Sequence, residues 1–134
     1  MRIAYALAAA ALLATAAAAL ARPHDPQAEM AKALKGRVPG KPVNCIFLPR
    51  IRNTQIIDRT AILYDAGDTI YVNRPRGGAQ QLSDWDVLVT KTTGSQLCSI
   101  DIVRLYERGT HVQKGFVNLG EFVPYTRVRA PRHR

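Results

Sequence analysis

The segment AILYDAGDTIYV, residues 61–72, constrains this chain more than any other. Two runs of aliphatic, β-branched and aromatic residues flank Asp-Ala-Gly-Asp, where Gly67 can take positive φ, so the segment reads as a β-hairpin. Pairing Tyr64 with Thr69 sets Leu63 opposite Ile70 and Ala61 opposite Val72 on one face. Ile62 then lies opposite Tyr71 on the other. Side chains alternate along a strand, so both faces are apolar and both are expected to be covered. The rest of the chain has to supply those covering layers.

Further strand-like runs occur at residues 51–58, 60–64, 69–73, 86–90 and 97–106, and a last strand is expected across 116–123, interrupted by Gly120. Within 97–106, alternation puts Cys98, Ile100 and Ile102 on one face and Asp101, Val103 and Leu105 on the other. RPRGGAQQ (74–81) reads as a loop and residues 108–115 as a polar turn. Before the strands, Asp25 can cap a short helix that starts at Pro26 and ends at Gly36, with Met30 and Leu34 as its apolar stripe. The expected class is mainly β: a small disulfide-closed antiparallel sandwich or partly open barrel with a short N-terminal helix. The expected organisation is a signal peptide (1–21), a helical lead-in and linker (22–42), a β-domain (43–124) and a basic flexible tail (125–134).

The N-terminus carries Arg2, an apolar run to Leu20 broken only by Thr15, and small residues before Arg22-Pro23. That is the layout of a secretory signal peptide, with cleavage expected after Ala21; the competing reading is an uncleaved anchor. No transmembrane segment is expected in the mature chain. Export to the periplasm or beyond places Cys45 and Cys98 where thiols pair, so an intramolecular disulfide is expected, against a reactive or intermolecular thiol. Such a bridge could add up to ~4 kcal/mol of stability.

The formal net charge is +9, from 19 basic and 10 acidic residues. That balance favours anionic partners such as envelope lipid or acidic polysaccharide, and an envelope protein is the other expected partner. Nucleic acid is not expected as the partner of an exported chain. Arg127, Arg129, Arg132 and Arg134 lie in an acid-free tail, and Arg50, Arg52, Arg74 and Arg76 lie near strand ends. Together they are the candidate anion-binding residues.

Little suggests catalysis. His24, His111 and His133 have no metal-ligand spacing, and neither cysteine belongs to a C-x-x-C pair, so no metal and no cofactor are expected. KTTGSQ lacks the glycines and lysine of a phosphate loop. Ser95, Ser99 and His111 lack a nucleophile elbow. Asp58 and Asp101 are the polar site candidates; the plainer reading has each capping backbone amides or paired with Arg50 or Arg52. Trp85 is expected in the core or at its margin.

The motifs NCI (44–46), IRNTQIID (51–58), AILY, IYVNR (70–74), SQLCSIDIV (95–103) and LGEFVP (119–124) resemble a family of small secreted proteins of unknown function from Gram-negative bacteria. The likeness covers most of the β-domain, and SQLCS-I-D-I and Y-x-N are its most specific parts. Members typically carry four cysteines; here the second and fourth positions fall near Ala79 and Val117. The resemblance implies that those two positions form one disulfide in relatives, with Cys45–Cys98 as the retained one. It implies no activity. The expected function is therefore an exported, non-enzymatic binding or structural module contacting anionic envelope components. The alternatives are a small-ligand binder or hydrolase using Asp58 and Asp101, and an inhibitor or chaperone-like partner of an envelope protein.

Overall fold

The structure is a computed structural model that describes residues 24–130. The expected signal peptide and Arg132, His133 and Arg134 lie outside the described residues. No helix among the described residues is long and apolar enough to cross a membrane.

The hairpin is present as β4 (Ala61–Asp65) and β5 (Thr69–Asn73), but its register is two residues away from the expected one: Tyr64 faces Tyr71, Leu63 faces Val72 and Ile62 faces Asn73. The cause lies in the turn. Asp65 Oδ1 accepts the Gly67 N–H at 2.7 Å, and the Ala66 N–H reaches the Thr69 carbonyl at 2.9 Å. This local side-chain bond draws Asp65 into the strand and shortens the loop. A slip of two preserves the face of every side chain. Residues 61 to 64 are accordingly all buried.

β3 (Asn53–Ile57) pairs with β4, β10 (Phe122–Arg127) with β5, and β1 (Arg37–Pro39) with β10, giving an antiparallel sheet of order β1-β10-β5-β4-β3. Residues 37–39, expected as linker, are thus a strand, and β10 takes in the first residues of the expected tail. One face of this sheet, with Ile57, Ala61, Leu63, Ile70 and Val72, is packed by Met30, Ala33 and Leu34 at helix α1 (Pro26–Ala33). Asp25 caps that helix by accepting the Gln27 N–H at 2.9 Å.

The opposite face, with Ile56, Ile62, Tyr64 and Phe122, shares one core with two smaller antiparallel sheets. The first comprises β6 (Asp86–Thr90), β8 (Ile102–Glu107) and β9 (Gln113–Asn118), which contribute Val103, Leu105 and Val117. The second is the ribbon of β2 (Cys45–Phe47) and β7 (Gln96–Cys98), which contributes Ile46 and Leu97. The Tyr64 and Phe122 rings meet edge-on at 5.8 Å, and burial pushes the Tyr64 phenol up, well above its usual range. The protein is mainly β and antiparallel.

Cys45 and Cys98 stand directly opposite one another in the ribbon and form a disulfide with Cα atoms 4.0 Å apart. The single strand expected over 97–106 does not exist. β7 stops at Cys98 because Asp101 Oδ2 accepts the Cys98 N–H at 2.7 Å, while the Asp101 N–H donates to the Cys98 carbonyl at 3.0 Å. A short carboxylate competing for backbone amides closes a turn where alternation alone predicts a strand. Ile100 therefore does not share a face with Cys98; it sits on the turn, 81% exposed. The strand expected across 116–123 is likewise divided, between β9 and β10, with Gly120 in the link.

Asn73, fully buried at the end of β5, fastens that link. Its Nδ2 donates to the Gly120 carbonyl at 2.7 Å, and the Gly120 N–H donates to its Oδ1 at 3.0 Å. A Cβ at Gly120 would lie 2.5 Å from the Arg74 carbonyl oxygen, so only glycine fits. Asn73→Ala would leave two buried backbone groups without partners and is expected to cost about 2–4 kcal/mol in urea unfolding; a loss below ~0.5 kcal/mol would contradict this account.

Ala79 opens a short 3-10 turn (Ala79–Gln81) that packs on β9, where Val117 is fully buried, and Gly77 bridges to Asn118 beside it. The double variant Ala79→Cys/Val117→Cys is therefore expected to close a second disulfide under oxidising conditions. Intact mass with and without reductant reads this directly, and two free thiols would remove the basis for pairing these positions.

Candidate binding surface

Alternation along β6, β8 and β9 turns Leu88, Val103, Leu105 and Val117 into the core. The same alternation turns Val87, Val89, Ile102, Arg104 and Phe116 outward. Pairing places Val89 opposite Arg104, Arg104 opposite Phe116, and Val87 opposite Tyr106, so these side chains share one face. Val87, Val89, Ile102 and Phe116 are 39–50% exposed there. Among the described residues no helix covers this face, whereas α1 covers the outer face of the larger sheet. Because these apolar side chains adjoin one another on one face, this face is the candidate interaction surface among the described residues.

Arg104 stands at its centre. One hollow of about 600 Å³ is bordered by Val89, Lys91, Ile100, Ile102 and Arg104, and another of about 360 Å³ by Ile102, Arg104, Gln113 and Phe116. Asp101 also borders the larger hollow, but one of its carboxylate oxygens accepts the Cys98 amide. The surface therefore combines aliphatic and aromatic side chains with two cations. Trp85, expected in the core or at its margin, is instead 59% exposed just before β6, with the Arg108 guanidinium 5.5 Å from its ring centroid. The inward position beside it is taken by Asp86, whose buried carboxylate pairs with Lys114 Nζ at 2.9 Å.

The candidate residues named from sequence do not form one site. Arg52 lies against Gly67, Arg129 approaches Asp68 at 3.5 Å, and Arg127 faces Arg37 across β10 and β1. Arg37, which the sequence did not single out, donates to the Gly67 and Asp68 carbonyls at 2.9 and 2.6 Å. These four gather around the β4–β5 turn. Arg74 and Arg76 follow the opposite end of β5, where Arg76 donates to the Leu119 and Ser99 carbonyls, each at 2.9 Å. Arg50 is exposed on the 3-10 turn Leu48–Arg50.

Asp58 accepts the Asp84 N–H at 2.6 Å and lies 3.6 Å from His24 Nε2. Both candidate aspartates thus hold backbone amides, and the hollow that Arg104 shares with Asp101 does not include Asp58. Folding also brings ligand-capable atoms of His24, Asp58 and Asp84 within 4.8 Å of one another, a grouping no linear spacing announces.

Comparison with protein-family models, with curated proteins and with solved structures finds no match to this chain.

The loop beside Trp85 carries a pH-sensitive contact. Hydrogen bonds from the Thr110 hydroxyl, then from the Thr110 and Gly109 amides, hold the Glu107 carboxyl below its ordinary range, with a smaller contribution from Trp85. A depressed pKa means these bonds persist above the ordinary carboxylate range and are lost as pH falls through the lowered value. Emission from Trp85, the sole tryptophan, is expected to shift in acid below the usual glutamate titration, and Glu107→Gln is expected to abolish that step.

Proposed function

We propose that this chain is an exported, non-enzymatic binding module of the periplasm that docks on anionic envelope lipid through the outer face of β6, β8 and β9. The observation that carries this reading is the placement of Arg104 among Val87, Val89, Ile102 and Phe116 on a face left uncovered. Apolar side chains of this kind enter the boundary between headgroups and acyl chains, while a guanidinium pairs with phosphate at the same depth. The chain from Arg22 onward, which lacks only Arg2 of the charged residues, keeps a formal net charge of +8 that adds attraction toward an anionic leaflet. The signal-peptide layout and the resemblance to small secreted proteins agree with this location. On this reading the arginines at the β4–β5 turn and those after β5 support approach to the surface rather than forming a separate pocket. Asp58 and Asp101, each holding an amide, act in structure rather than in hydrolysis.

Cosedimentation of the chain from Arg22 onward with phosphatidylglycerol-containing vesicles tests the proposal, with phosphatidylcholine vesicles as control. Binding is expected to the anionic vesicles and to weaken as salt rises. Arg104→Glu should weaken it by roughly tenfold or more, and Ile102→Ser/Phe116→Ser should do so even at low salt. Binding that ignores these substitutions but disappears when the chain ends at Val128 would assign the contact to the tail and overturn this reading.

A further inference from the structure

A groove of about 400 Å³ runs between the two larger sheets, bordered by residues 53–56 of β3, residues 86–88 of β6, and Glu29, Asp84 and Arg108. The order of those bordering residues is informative. A strand face presents every second side chain, so consecutive residues along a wall mean that the wall is the strand's edge. β3 and β6 are indeed the end strands of their sheets. Each therefore has one side without a neighbouring strand, and the antiparallel ladder leaves every second residue of that side with its N–H and C=O unclaimed by strand pairing. Two such edges border one groove.

The groove is also the acidic part of a basic chain. Three carboxylates and one guanidinium border it, on a protein of net charge +9. Glu29 accepts the Gln55 side-chain amide at 2.9 Å and pairs with His24 at 2.7 Å, and Asp86 pairs with Lys114 at 2.9 Å. Asp84 is exposed, and no ion pair involves its carboxylate among the described residues. The one guanidinium, Arg108, is drawn over the Trp85 ring.

From these two features we infer that the groove receives an extended basic peptide segment, which adds to the β3 or β6 edge as a strand and sets Lys or Arg side chains against Glu29 and Asp84. Main-chain hydrogen bonds to the open edge supply affinity, and the carboxylates select positive over negative side chains. This contact is separate from the lipid-facing surface, since it uses the edge of β6 and not its outward side chains.

Fluorescence anisotropy with a labelled peptide Ser-Arg-Val-Lys-Val-Arg-Ser, added to the chain from Arg22 onward, tests it. Three comparisons accompany the peptide: the same sequence with Glu in place of Arg and Lys, a version N-methylated at alternate amides, and the Glu29→Gln/Asp84→Asn variant. Binding of the basic peptide is expected, with no binding of the acidic one. N-methylation is expected to weaken it by at least about tenfold, because the donors needed by an edge are removed. The double variant is expected to weaken it about tenfold without losing its fold. Should that variant fail to fold, the N-methylated peptide decides, since it leaves the protein untouched. No binding, equal binding of the acidic peptide, or indifference to N-methylation would each overturn the inference.

Discussion

A single buried carboxamide, Asn73, holds the layers of this protein in register. Its side chain offers a donor and an acceptor to Gly120, as a further residue of a strand would, and so adds a rung where β5 has ended. On the same sheet face Asn73 lies between Ile62 and Phe122, the latter packed edge-on against Tyr64. Gly120 belongs to the link between β9 and β10, so the amide ties the smaller sheet to the larger one at the boundary of their common core. A buried amide has few places where all its bonds can be made, and that scarcity fixes the junction. The neighbouring contacts of Arg76 with Leu119 and Ser99 reinforce it from the solvent side.

Periodicity made the inner sheet legible. The β4–β5 segment is apolar on both faces, and the structure covers both, although the turn chemistry of Asp65 moved the register by two. The paired cysteines were legible as well. Asp101 was legible in part: its plainer reading had it capping backbone amides, but a strand pattern does not show that taking the Cys98 amide ends the strand. The outer face of β6, β8 and β9 was hidden for a related reason. In DVLVT the inward positions are Asp86, which is buried, and Leu88, which is half-buried, and the outward ones are Val87 and Val89, so hydrophobicity alone points both ways. Arg37 escaped notice because its partners are the carbonyls of a turn 30 residues away, and no spacing rule reaches that far.

Strand β6 takes part in two surfaces of different character. Its outward side chains belong to the apolar face centred on Arg104, and its open edge belongs to the acidic groove shared with β3. Its inward Asp86 is neutralised by Lys114, a residue of β9, the strand at the far side of the same sheet. The charge distribution is thus uneven: carboxylates gather near the groove, while arginines crowd the β4–β5 turn and the segment after β5. An uneven distribution orients a molecule in an external field, which a uniform charge of the same sum does not.

β10 is the last strand in sequence yet lies inside its sheet, between β1 and β5. A chain made from its N-terminus onward therefore carries β1 with no strand beside it and β5 with one side open until the final residues arrive. The long-range pairing of β1 with β10 then joins opposite ends of the described chain, which is the kind of contact that forms late and slowly. Until then, the inner sheet exposes the strand edge most in need of a partner. For this protein, the arrival of β10 is the event that closes the larger sheet, since both of its neighbours in that sheet precede it in the chain.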